Sequence, residues 1–139
     1  MIVTTKGKNA LKLMVDLSLY QGDEYVKLKD IAEREDISEK YLEQIVSNLQ
    51  RSNKVKSARG ANGGYRLSKE PENYSVGEII KCLEGEMHPT NCTYENEACP
   101  KIKECFCYPL WGKLDAAINE VLENTSLQDL IDWKSGSAS

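Results

Sequence analysis

Val55-Lys56-Ser57-Ala58-Arg59-Gly60-Ala61-Asn62-Gly63-Gly64-Tyr65-Arg66-Leu67-Ser68 decides the fold. Residues 55–58 and 65–68 read as two short strands, and the stretch between them as a hairpin tip. Three glycines and Asn62 are expected to supply the positive φ angles that such a tip needs. From Arg51 to Lys69 the charged residues are Arg51, Lys54, Lys56, Arg59, Arg66 and Lys69, with no acid among them. A ribbon edged with cations suits a phosphate backbone, although a solvated hairpin would carry the same residues.

Upstream, the spacing of Leu42, Ile45, Val46 and Leu49 predicts a helix over 39–52, with Ser38 as its N-cap. Its opposite face carries Glu39, Lys40, Glu43, Gln44, Ser47 and Asn48. A shorter helix over 28–35 precedes it, with Leu28, Ile31 and Ala32 inward. Lys27 cannot cap that helix, because an ammonium accepts no backbone N–H. Ala10, Leu13, Met14 and Leu17 predict a first helix over 8–20, closed by Gln21-Gly22-Asp23. Helix, helix, turn, helix and basic hairpin, in that order, make a winged helix-turn-helix.

Downstream, Ser75 caps a fourth helix with Val76, Ile79, Ile80 and Leu83 inward, and Cys82 beside that face reads as a half-buried structural cysteine. Cys92, Cys99, Cys105 and Cys107 then crowd into one segment. Pro109 suits the first turn of a long helix to residue 124, striped by Leu110, Leu114, Ala117, Ile118, Val121 and Leu122 and flanked by Trp111. A last short helix is expected over 127–131, and a disordered tail from 134. The fold class is therefore mainly α with a small β-hairpin wing: a winged helix-turn-helix plus a long C-terminal dimerisation helix. The division expected is 1–74 for DNA binding, 75–134 for the cysteine segment and dimerisation helix, and 135–139 for the tail. An apolar stripe beyond a module with its own core calls for a partner, so a homodimer is expected.

The 139 residues are 40% hydrophobic and 29% charged, as in an ordinary soluble protein. No apolar run approaches the length of a membrane span, and the N-terminus lacks the pattern of a signal peptide, so the expected location is the cytoplasm. The net charge of -4 hides an asymmetry: residues 1–70 hold 13 Lys/Arg against 10 Asp/Glu (+3), and residues 71–139 hold 5 against 12 (-7). Local charge, not the total, attracts DNA.

On double-stranded DNA the third helix would enter the major groove. Gln44 suits adenine, Lys40 suits guanine or a phosphate, and Glu43 accepts from a cytosine amino group and so penalises sites without one. Arg59 at the tip suits a narrow minor groove, and Gly63 and Gly64 would let the wing backbone come close. Taken singly, Glu39, Lys40 and Gln44 fit a solvated helix face equally well. The DNA-facing set is Thr5, Lys6, Ser38, Lys40, Tyr41, Glu43, Gln44, Arg51, Arg59, Gly60, Gly63 and Gly64, with Thr5, Lys6 and Arg51 on phosphates.

Thr4-Thr5-Lys6-Gly7 leading into Ala10-Leu11, then Ile31-Ala32, Ile37-Ser38, Tyr41-Leu42-Glu43-Gln44, Arg59-Gly60 and Gly63-Gly64-Tyr65-Arg66-Leu67, resemble the Rrf2 family of bacterial transcription regulators. The likeness runs from Met1 to about Leu130. It implies a homodimer, repressor or activator, whose long C-terminal helix crosses to the partner and which reads a near-palindromic operator. In IscR-like members the residues matching Glu43 and Arg59 take part in operator choice.

Five cysteines is an odd count, and a reducing compartment disfavours disulfides. Soft thiolates select iron–sulfur clusters, zinc or copper(I), and the absence of a close Cys-x-x-Cys pair disfavours a zinc knuckle. Cys92, Cys99 and Cys105 leave a four-ligand cluster one short; Cys107 is the local candidate and His88 another. Cluster-binding relatives carry three cysteines here, ahead of a Leu-Trp matched by Leu110-Trp111. Their fourth ligand is a histidine where this chain has Tyr108, or an acid where it has Lys8. The metal set is thus Cys92, Cys99, Cys105 and Cys107, holding a two-iron or four-iron cluster. The function expected is a transcription regulator, a repressor first, that senses cluster or redox status. One alternative is a CymR-like regulator, controlled by a partner protein or by thiol oxidation. Another is a thiol or zinc module without DNA binding. An enzyme is not expected, because His88 is the sole histidine and nothing in the sequence orients it as a base.

Overall fold

The computed structural model describes residues 3–90 and 104–136. In chain order these form α1 (Thr5–Tyr20), α2 (Leu28–Glu35), α3 (Glu39–Arg51), β1 (Val55–Ala58), β2 (Gly64–Leu67), a 3-10 turn at Pro71–Asn73, α4 (Val76–Glu84), α5 (Tyr108–Asn124) and α6 (Leu127–Ser135).

Local chemistry explains most of the boundaries. The Ser38 hydroxyl accepts the Tyr41 amide at 3.1 Å and starts α3. Ser75 and Glu78 form a reciprocal capping box at the start of α4, and Ser126 and Asp129 do the same for α6. Lys27 provides no side-chain cap for α2, as its chemistry requires. Asp36 takes the left-handed conformation (φ 53°) that closes α2 and turns the chain toward α3.

Ala10, Leu13, Met14 and Leu17 of α1, Ile31 of α2 and Leu42, Ile45 and Leu49 of α3 are each 0% exposed and meet in one core. Full burial of such an aliphatic side chain contributes about 1.5–3 kcal/mol. Val55 and Leu67 bring the base of the hairpin into the same cluster, and Tyr74, Ile79 and Leu127 bring in the segments beyond it. The core therefore runs across residue 74. A smaller cluster of Val76, Ile80 and Met87 packs against Val3, Leu122 and Leu130. Gly77 lets α5 close on α4, because a Cβ there would stand 3.0 Å from Leu122 Cβ and 3.1 Å from its carbonyl oxygen.

β1 and β2 pair antiparallel with Val55 opposite Leu67 and Ala58 opposite Gly64. Val26 exchanges two backbone bonds of 2.8 Å with Tyr65, which covers the far side of β2.

Three expected boundaries need correction. α1 begins at Thr5, not at 8, because Glu84 holds the preceding Thr4 through bonds that no local motif announces. β2 begins one residue early, at Gly64. α6 continues to Ser135 and closes on Gly136 at φ 76°, so Lys134 and Ser135 are helical and do not belong to a tail. Residues 137–139 lie outside the described residues.

Candidate nucleic-acid interface

α3 presents its two faces as expected. Leu42, Ile45, Val46 and Leu49 are buried, while Glu39, Lys40, Glu43, Gln44 and Ser47 are exposed. Tyr41 is half-buried against the core, and the exposed Ser38 spends its hydroxyl on the cap. Asn48 accepts a bond from the Arg51 guanidinium at 2.7 Å, which fixes that cation at the end of the helix. Thr5 and Lys6 stand exposed on the first turn of α1.

The wing is tied to this helix. The Gln50 amide donates to the Ser57 hydroxyl at 2.8 Å, and the Lys54 amide to the Leu49 carbonyl at 2.8 Å. Beneath it, the Tyr74 hydroxyl donates to the Lys54 carbonyl and accepts the Ser68 amide at 2.9 Å. Gln21 of the first turn accepts the Leu67 amide at 2.8 Å.

The glycines of the tip have other duties than the sequence suggested. Only Gly60 (φ 102°) and Gly64 (φ 148°) of the tip take positive φ; Asn62 and Gly63 do not. A Cβ on Gly63 would lie 2.3 Å from the Ala58 carbonyl oxygen, and one on Gly64 2.3 Å from that of Val26. Their lack of a side chain serves close approach within the protein.

The basic run also divides. Lys54 and Lys69 both pair with Glu78 of α4, at 3.2 and 3.0 Å. Partial burial pushes the Glu78 carboxyl up, but hydrogen bonds from Lys69, the Ser75 amide and Lys54 outweigh it and hold it below the usual carboxylate range. Arg66 donates to the Gly22 carbonyl at 3.3 Å and lies over the Tyr25 ring. Lys56 and Arg59 remain exposed on the hairpin, and they are its cations facing solvent at the tip and outer strand. Glu78 is the neighbour of the wing that the sequence reading missed.

Of the proposed sulfur ligands, Cys105 is exposed and Cys107 is half-buried just before α5; Cys92 and Cys99 lie outside the described residues. Among the described residues no group of three His, Cys, Asp or Glu side chains is arranged to hold a metal ion. His88 places Nδ1 at 2.8 Å from Asp115 Oδ1 on α5, and Asn119 donates to the same carboxylate oxygen at 3.3 Å. Cys82 is half-buried and its thiol donates to the Glu78 carbonyl at 3.1 Å, which fits a structural cysteine.

The profile of the Rrf2 family, described as an iron-dependent transcriptional regulator, matches residues 3–133. The chain belongs to the Rrf2 family. It is 40% identical over 136 residues to the HTH-type transcriptional regulator CymR of Bacillus subtilis (strain 168), covering 98% of this chain and 94% of that one. It is 37% identical over 131 residues to the HTH-type transcriptional regulator IscR of Aliivibrio salmonicida (strain LFI1238), covering 94% of this chain and 77% of that one. The solved structure of CymR, called the global cysteine regulator of B. subtilis, superposes with a TM-score of 0.78 at 38% identity, covering 96% of this chain and 98% of that one. These relatives are transcription regulators and not enzymes, so this Rrf2 protein is a winged-helix transcription regulator. Among its described residues no helix is long and apolar enough to cross a membrane.

Proposed function

We propose that this Rrf2 protein binds operator DNA as a homodimer and that an iron–sulfur cluster on its cysteine segment sets the strength of that binding. The observation that carries the DNA reading is the exposed polar face of α3, with Lys40, Glu43 and Gln44, tied through Gln50 and Ser57 to a wing that ends in exposed Arg59. In this arrangement Gln44 and Glu43 read base edges, Arg59 seeks the minor groove, and Thr5, Lys6 and Arg51 meet phosphates. α5 supports the dimer: none of its side chains is buried within the protomer, and Leu110, Leu114 and Val121 are exposed. Two copies joined along that helix would present their recognition helices to half-sites about one turn of DNA apart.

The donor chemistry of the segment fits the cluster. Thiolates are soft ligands, and Cys105 stands exposed at the segment's end. Cys92, Cys99 and Cys105 would hold the group, with Cys107 as the nearby fourth donor. When bound, it supplies redox-active iron whose state the protein senses. His88, committed to Asp115 through Nδ1, links the start of the segment to α5.

A second reading is favoured by the 40% identity to CymR and by Tyr108 and Lys8 at the fourth-ligand positions of cluster-binding relatives. Here the thiols themselves, or a partner protein, would control DNA binding. Oxygen-free purification with absorption spectroscopy and iron and sulfide analysis separates the two. Visible absorption with stoichiometric iron is expected; a colourless, iron-free protein that regulates normally would leave the thiol reading in possession. For the DNA reading, Arg59→Ala should weaken duplex binding at matched salt, and unchanged affinity would remove the wing from the interface.

A further inference from the structure

We propose that Glu84 is a positioning residue for DNA binding: from the end of α4 it holds the first turn of α1, and so sets where Thr5 and Lys6 meet the phosphate backbone. The inference deepens the function proposed above and rests on it.

Thr4 precedes α1, yet its side chain makes no capping bond to its own helix. Its hydroxyl and its amide donate instead to the Glu84 carboxylate, the amide at 3.0 Å. The Gly7 amide, one of the donors that a helix start leaves unmet, lies beside the same carboxylate and favours its charged form. The cap of α1 thus comes from another helix. Gly7 permits the approach, since a Cβ there would lie 3.3 Å from Glu84 Cγ and 3.1 Å from Val3 Cγ1. Burial pushes the Glu84 carboxyl up, but the bonds from Thr4 and the nearby Gly7 amide outweigh it and hold it below the usual range, so the group is charged at neutral pH.

A carboxylate is favourable beside a helix N-terminus but unfavourable beside DNA. Its place next to two residues meant for phosphates is reasonable if the position it imposes outweighs the repulsion it adds. Glu84 is also the last residue of α4. After it come Gly85 (φ 76°), buried Met87 and His88 on Asp115, and then the cysteine segment.

Charge and positioning predict opposite signs, and that decides the test. If Glu84 acted only through its charge, Glu84→Ala would tighten DNA binding. If it positions Thr5 and Lys6, the variant binds more weakly. The full chain is titrated by fluorescence anisotropy against a duplex that the wild type selects from a random-sequence pool, over a range of salt. Glu84→Ala should weaken binding about tenfold at low salt. It should also lower the slope of log affinity against log salt by about 1, the same change expected of Lys6→Ala. Adding Lys6→Ala to Glu84→Ala should cause no further loss beyond that of Glu84→Ala alone. Glu84→Gln, which keeps an acceptor for Thr4, should fall between wild type and Glu84→Ala. Circular dichroism at the assay temperature gives the folded fraction; a merely structural role would lower that fraction and leave the salt slope unchanged. Tighter binding, an unchanged slope or additive losses would each overturn the proposal. If the wild type binds no duplex, the proposed function falls and takes this inference with it; if the wild type binds and Glu84→Ala binds alike, only this inference falls.

Discussion

Asp16 is the costliest residue to leave alone. Its carboxylate is 0% exposed, and it accepts two bonds from Arg34, at 2.7 and 3.0 Å, while the Arg34 guanidinium stacks 3.9 Å above the Tyr20 ring. Removing one partner of a buried pair strands the other, so Arg34→Ala should destabilise by about 3 kcal/mol in urea denaturation. Arg34→Lys should recover only part of this, because an ammonium cannot reproduce the two-pronged geometry. Gly64 is the second sensitive position. An alanine there meets the Val26 carbonyl oxygen at 2.3 Å with φ at 148°, and the thermal midpoint of Gly64→Ala should fall, with a loss of at least about 1–3 kcal/mol from backbone strain alone. At this scale the sequence is only partly legible. Gly64 stood out because glycines punctuate hairpins. Asp16 and Arg34 gave no signal, since they lie on different helices and their pairing exists only once those helices cross.

Periodicity speaks at the scale of elements, and here it carried far. The apolar spacing of α3 and the serines before α3 and α4 marked those helices, because the physics that starts them is local. It failed where a distant element intervenes, as at the start of α1, where the cap belongs to α4. The same limit applies to the wing. Its six cations looked equivalent in sequence, but Lys54 and Lys69 serve Glu78 and brace the hairpin against α4. The brace has a pH dependence of known sign. The Glu78 carboxyl is held below its ordinary value of 4.5, so its contribution is present above that value and disappears as pH falls through the lower folded value. Glu78→Gln should be less stable than wild type by about 1 kcal/mol at pH 7. In urea titrations the gap should close at strongly acid pH; a constant gap would mean that ionisation is not its cause.

For the whole molecule, the fold follows from one core that α1 shares with the wing and with α4 and α6, while α5 stays on the outside. Its apolar stripe was readable in the sequence; what covers it was not, because a single chain does not state its partner. Sedimentation should show a dimer, and Val121→Asp, at a side chain 65% exposed, should shift the equilibrium toward monomer with little loss of protomer stability. If Val121→Asp sediments as wild type does, α5 is not the contact. The pairing of Val26 with Tyr65 has a consequence for behaviour at high concentration. Because that pairing occupies one flank of the hairpin, the edge left to solvent is β1, a strand four residues long that carries exposed Lys56. A short, charged border of this kind is a poor template for strand addition, which guards a sticky cationic ribbon against fibril growth while leaving its tip open.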